Sequence, residues 1–153
     1  MKQELVKDWM VREVVTITPE VTLPEAHRLM TDHHIRRLPV VKNDRLMGMV
    51  TRGDVRGAEP SGATSLSIWE LNYLLAKLKI EEIMTRHPVT ISPEATIGQA
   101  AQVMLEYKIS GLPVVEREGQ VVGIITESDI FRMVVQAWDQ ADLARVLATQ
   151  QQG

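Results

Sequence analysis

Apolar runs and helix-spaced apolar stripes follow one another along this chain in a fixed order, and the order occurs twice. A β-branched stretch at residues 14–17 stops before Pro19, which suits a strand leaving into a turn. Thr22-Leu23-Pro24-Glu25 reads as a capping box, and Ala26, Leu29 and Met30 follow at helical spacing. Leu38-Pro39-Val40-Val41 has the unbroken apolarity of a buried strand, Asn43-Asp44 marks a hairpin turn, and residues 46–50 return. A second helix is expected from Thr51. The same sentence is then written again. Residues 89–91 lead to Pro93, Thr96-Ile97-Gly98-Gln99 caps a helix carrying Ala100, Val103 and Met104, and Leu112-Pro113-Val114-Val115 turns at Glu118-Gly119. Residues 121–125 return into a helix at Thr126.

The two copies share Thr16/Thr90, Pro19/Pro93, Thr22/Thr96, Ala26/Ala100, Ile35/Ile109 and the whole Leu-Pro-Val-Val run. Gly48, Thr51 and Asp54 match Gly123, Thr126 and Asp129. Two copies are too few for a solenoid, which needs about three repeats to bury a continuous core. The expected fold is therefore α/β (α+β), two β-α-β-β-α repeats packed about a pseudo-two-fold axis. Repeat one covers residues 1–57, a linker with a connector helix 58–79, repeat two 80–135, and a helical tail 136–153. The linker opens as a tether (GAEPSGATS). Ser67-Ile68-Trp69-Glu70 then caps a helix with Ile68, Leu71, Leu75 and Leu78 on one stripe. Trp69 and Tyr73 on it read as core, the other reading being a face turned to another subunit. The tail is expected to continue helical, with Trp138, Leu143, Val146 and Leu147 as a sparse apolar edge.

Composition narrows the function classes. The 153 residues carry a net charge of -3 with signs interspersed, so no broad basic face exists for a nucleic acid. There is no cysteine, which removes disulfides and thiolate metal sites. The N-terminus mixes acidic with basic residues and has no apolar h-region, so no secretory signal is expected. No run of about 18 apolar residues exists to span a membrane. The expectation is a soluble cytoplasmic protein. His27, His33 and His34 lack ligand spacing, so no metal site is expected. No Ser–His pair, Walker loop or GxGxxG appears, so an enzyme is not expected either. Methionines such as Met30, Met47, Met49 and Met104 read as core filler.

What repeats is Thr51-x-x-Asp54 and Thr126-x-x-Asp129. Each pair reads in two ways: as a helix cap, or as a ligand contact in which the carboxylate accepts ribose hydroxyls and the threonine bonds ribose or phosphate. The sharpest difference between the copies precedes the Leu-Pro-Val-Val strands, where Arg36-Arg37 faces Ser110-Gly111. Two arginines there are either solvated at a helix end or hold phosphates by bidentate bonds.

The duplicated unit, with Gly48-Met49-Val50-Thr51-Arg52-Gly53-Asp54 and Gly123-Ile124-Ile125-Thr126-Glu127-Ser128-Asp129 each after a Leu-Pro-Val-Val strand, resembles a tandem CBS-domain pair, the Bateman module. The linker is similar to that of bacterial stand-alone CBS proteins of the acetoin-utilization AcuB type, and the chain is expected to lack the ACT domain such relatives often carry. The resemblance implies a regulatory module that binds adenosyl compounds (AMP, ADP or ATP) between the repeats and transmits occupancy by conformational change. It implies ribose contacts from Thr126, Asp129, Thr51 and Asp54, and adenine contacts from Thr16, Ile17, Thr18, Thr90, Ile91 and Ser92. Phosphate would be held by Arg36 and Arg37, with Ser110 donating a single hydroxyl. The clefts should be unequal, the better one at Thr126 and Asp129. The family also implies a homodimer, with Leu29/Met30, Val134/Val135 and Trp138 as candidate contacts, and a regulated partner protein that the chain does not name. The alternatives are a ligand-free structural or protein-interaction module, S-adenosylmethionine binding, and nucleic-acid binding.

Overall fold

A computed structural model describes residues 4–58, 66–138 and 140–152. Its helices are α1 (Val6–Trp9), α2 (Leu23–Asp32), α3 (Arg52–Ala58), α4 (Ile68–Lys77), α5 (Ile97–Tyr107), α6 (Glu127–Ala137) and α7 (Gln140–Gln151). Its strands are β1 (Arg37–Lys42), β2 (Arg45–Thr51), β3 (Thr85–Arg86), β4 (Gly111–Val115) and β5 (Val121–Thr126). The fold is the expected mixture of helices and small sheets.

Local chemistry explains most of these boundaries. Glu25 Oε2 accepts the Thr22 amide at 3.0 Å, and Thr96 and Gln99 complete the reciprocal box on α5 at 2.9 and 3.1 Å. Asn43 and Asp44 both take positive φ, 51° and 61°, as a two-residue hairpin turn of the right twist requires. Glu118 and Gly119 do the same between β4 and β5, at 70° and 79°. Each hairpin bulges at the equivalent place, between Val40 and Val41 and between Val114 and Val115. Met47 sits opposite the first bulge and is exposed, unlike the buried Met30, Met49 and Met104.

The stretches 14–17 and 89–91 do not form strands. Each contributes one parallel bridge, Ile17 to Val40 and Ile91 to Val114. Ile17 donates to the Pro39 carbonyl at 3.0 Å and accepts from the Val41 amide at 2.8 Å. The residues upstream leave the sheet, and the prolines at 19 and 93 cannot donate to prolong it.

Each half buries its own apolar cluster, but the halves exchange segments. Val6 and Met10 pack with Ile91, Ile97, Ala100, Met104, Leu112, Val114 and Ile125 of repeat two. Ile80 and Met84 pack with Leu23, Ala26, Met30, Leu38, Val40 and Val50 of repeat one. Backbone bonds tie both exchanges in matching positions. Val6 donates to Ala95 and Ile80 to Val21, each at 2.8 Å; Ile97 donates to Glu4 at 2.9 Å and Leu23 to Leu78 at 2.8 Å. Gly48 and Gly123 are small because the exchanged segments lie on them. A Cβ on Gly48 would sit 2.6 Å from the Met84 sulfur and 2.8 Å from the Thr85 carbonyl. One on Gly123 would sit 2.5 Å from the Met10 sulfur and 2.9 Å from the Val11 carbonyl.

Two expectations change. Ser67 and Glu70 do cap α4, each way at 3.2 Å, but Trp69 is 85% and Tyr73 61% exposed, so neither is core. Residues 59–65 of the expected tether lie outside the described residues. The tail is helical, but as a separate helix α7 and not as one piece with α6, because Trp138 turns extended (ψ 133°). Met30 is buried and offers no external face, while Leu29 is partly buried against the repeat-one core.

The exchange has a measurable signature. Ile80→Ala and Met10→Ala should each cost roughly 2–5 kcal/mol. By amide hydrogen exchange, Ile80→Ala should loosen α2, β1 and β2, and Met10→Ala should loosen α5, β4 and β5. Loosening confined to each residue's own sequence repeat would refute the crossed packing.

Candidate functional site

The two helix starts that repeat in the sequence face a seam between the halves. At the first, the Thr51 amide donates to Asp54 Oδ2 at 2.8 Å and Thr51 Oγ1 accepts the Asp54 amide at 3.1 Å. At the second, Asp129 Oδ2 accepts the Thr126 amide at 2.8 Å and its hydroxyl at 3.1 Å, while Oδ1 accepts from Arg132 Nη1 at 2.9 Å. Both aspartates thus act as caps, playing the part glutamate plays in a capping box. They are not equivalent. Asp129 is 3% exposed with both oxygens engaged, whereas Asp54 is half-buried and its Oδ1 has no further partner among the described residues.

Two cavities open on this seam, about 490 Å³ at Thr126 and about 440 Å³ at Thr51. Both fall within the range of small-molecule sites. Their walls correspond residue by residue across the pseudo-two-fold: Val14 and Val15 against Pro88 and Val89, His34 and Ile35 against Lys108 and Ile109. Ile124, Thr126, Glu127 and Ser128 answer to Met49, Thr51, Arg52 and Gly53. Arg36, Arg37 and Ser110 line both.

Arg37 crosses the seam. Its Nη2 donates to Ser110 Oγ at 2.6 Å, and a Cβ on Gly111 would lie 2.5 Å from Nη1 and 2.6 Å from Cζ. The arginine of one copy therefore occupies the space that glycine vacates in the other, which is why the copies differ there. Burial, with Arg36 beside it, pulls the Arg37 guanidinium below its ordinary pKa, and Glu127 opposes that shift. His34 and Lys108, one on each cavity, hold the left-handed conformation at φ 53° and 54°. Glycine or asparagine would take that conformation at less cost.

The structure brings Thr51, Thr126, Arg36, Arg37 and Ser110 to the cavities, with Asp54 and Asp129 behind the threonines. It does not bring the expected adenine residues. Ile17 and Ile91 are buried in the two cores, at 4% and 8% exposure, because each bridges the Leu-Pro-Val-Val strand of its half, β1 or β4. Thr90 and Ser92 line a separate cavity with Val115 and Arg117, and Thr16 and Thr18 line neither seam cavity. The walls come instead from Val11, Glu13, Val14 and Val15, and from Thr85, Pro88 and Val89. The sequence held a signal for them: Met10-Val11-Arg12 matches Met84-Thr85-Arg86, so the duplication extends upstream of residue 14.

A family model described as CBS domain matches residues 6–61 and again 80–136. The chain belongs to the CBS-domain family. Among solved CBS pairs, that of the protein MJ0100 in complex with 5′-methylthioadenosine and S-adenosyl-L-methionine is 31% identical, covering 90% of this chain and 100% of that one, with a TM-score of 0.75. CBSX2 in complex with AMP is 27% identical over 89% of this chain and 99% of that one, also with a TM-score of 0.75. A putative acetoin utilization protein (AcuB) from Vibrio cholerae is 28% identical, covering 99% and 98%, with a TM-score of 0.72. The inosine-5′-monophosphate dehydrogenase of Korarchaeum cryptofilum is 38% identical over 82% of this chain, which spans 23% of that enzyme's length.

The cap role of the CBS aspartates sets a ranking. Asp129→Ala should cost about 1–2 kcal/mol in urea denaturation through the lost cap. Arg132→Ala should cost under about 1 kcal/mol, because the Arg132 side chain is 57% exposed and its ion pair is screened. Equal losses would contradict the cap as the main role.

Proposed function

We propose that this CBS pair is a non-catalytic regulatory module whose seam binds adenosyl ligands of the AMP, ADP and ATP class. The observation that carries the reading is the pair of matched cavities, each opened by a helix-start threonine with an aspartate behind it and sharing Arg36 and Arg37. The adenosyl ligands in the MJ0100 and CBSX2 complexes support it. Val14-Val15 and Pro88-Val89 offer apolar walls for a base. Asp54 Oδ1 is available to a ribose hydroxyl while Oδ2 keeps the cap. At the other cavity, ribose takes over the Asp129 oxygen now held by Arg132.

A ligand touching both halves favours one inter-repeat angle by its differential affinity, and a partner protein reads that angle. Couplings of this kind are typically about 1–3 kcal/mol. The nucleotide ligand class suits a cytoplasmic location. Leu105, Phe131, Val135 and Trp138 are 53–80% exposed on or just beyond α5 and α6, and serve as the contact with a second copy in a homodimer. The capped aspartates favour one rival reading, a structural module that binds nothing in its seam.

Thermal denaturation with AMP, ADP, ATP or S-adenosylmethionine separates these readings. Ligand at 100 times its Kd stabilises by about 2.7 kcal/mol, a shift of several degrees for a chain of this size. No shift with any of the four at millimolar concentration would leave the structural module. Phe131→Glu should convert a dimer to a monomer by light scattering; an unchanged mass would move the contact elsewhere.

A further inference from the structure

Arg52 and Glu127 hold the same place in the two halves, the first residue of the helix behind Thr51 and Thr126, and they carry opposite charge. Each lines its own cavity. The contrast is repeated nearby. Lys108 lines the Thr51 cavity, its counterpart His34 lines the Thr126 cavity, and Glu13 lines the Thr126 cavity alone. Arg36 and Arg37 are common to both. The Thr51 cavity therefore presents Arg36, Arg37, Arg52 and Lys108 with Asp54 behind Thr51, whereas the other sets Glu13 and Glu127, with Asp129 behind Thr126, against Arg36 and Arg37.

Two of these cations sit where local preference opposes them. A helix start favours an acidic residue, as Glu127 supplies, yet α3 begins with Arg52. The left-handed end of α5 favours glycine, yet Lys108 takes it at φ 54°, as its counterpart His34 takes the end of α2 at φ 53°, so the two places differ in charge and not in backbone. Residues kept against local preference mark sites whose demands lie elsewhere. Both are cationic and both face the same cavity.

We infer that the two cavities sort adenosyl ligands by the charge of the tail. The Thr51 cavity takes phosphate-bearing ligands, and the Thr126 cavity takes those whose 5′ substituent carries no net negative charge, such as a thioether or a sulfonium with its amino-acid tail. This rests on the adenosyl reading of the seam, and it reverses the ranking expected from the sequence, which gave the phosphate ligand to Thr126 and Asp129. The guanidinium and ammonium groups of the Thr51 cavity meet a di- or triphosphate with charge-assisted bonds. Glu13 and Glu127 repel the same group at the other.

Isothermal titration calorimetry on the full chain, with ATP and 5′-methylthioadenosine as probes, tests this. ATP should bind one cavity per chain, and 5′-methylthioadenosine should bind alongside it without displacing it. Arg52→Glu and Lys108→Gly should each weaken ATP about tenfold or more, since each removes one charge-assisted contact. Both put a locally favoured residue in place, so the melting temperature should hold. Glu127→Arg should raise the ATP stoichiometry towards two. Equal weakening of ATP by Arg52→Glu and Glu127→Arg, or competition between the two probes for one site, overturns the sorting while leaving the seam a nucleotide site. Absence of binding by ATP, AMP, 5′-methylthioadenosine and S-adenosylmethionine alike overturns the adenosyl reading as well.

Discussion

The seam exists because each half is finished by a piece of chain that belongs, in sequence, to the other. Val6 and Met10 complete the core beneath Leu112 and Ile125, and Ile80 and Met84 complete the one beneath Leu38 and Val50. Burial of these side chains is the largest favourable term available to a domain of this kind, and it is spent on joining the halves. The segments that make the join, residues 11–15 and 85–89, then run across the seam and become cavity wall. Stability and cavity wall thus come from one feature.

The Thr-x-x-Asp pairs show how one group serves two masters. As caps they satisfy backbone amides that would otherwise be orphaned at the helix start. On the proposed reading the same threonines, with the aspartates behind them, also meet a ribose. The two uses need not exclude each other, because a carboxylate has two oxygens. At Asp54 one is spent on the cap; at Asp129 the second is held by Arg132. The halves therefore start from different electrostatic states before any ligand arrives.

Much of the fold was legible because it is written locally. Turns that demand positive φ, boxes three residues long and strands of unbroken apolarity need no distant information, and each stands where the sequence placed it. What escaped was tertiary. Residues 14–17 and 89–91 have strand composition, but only Ile17 and Ile91 find a partner, and these two lie in the cores while Thr16 and Thr90 stay exposed. Part of the cavity wall, Val11 and Thr85, was visible only by extending the repeat upstream to Met10 and Met84. Trp69 and Tyr73 have the composition of core residues on a helix that the structure leaves largely open. Arg36-Arg37 against Ser110-Gly111 was seen as an asymmetry, but its reason, a guanidinium lying where a Cβ would have to be, is a fact of packing between halves.

The crossed segments carry one more consequence. A cut placed in the connector, between residues 58 and 66, would leave one fragment holding Val6 and Met10 without the core they fill, and another holding Ile80 and Met84 in the same plight. Neither piece owns a finished interior, so the fragments can reach the native state only by associating. Two intact chains opened at that point could trade halves by the same contacts.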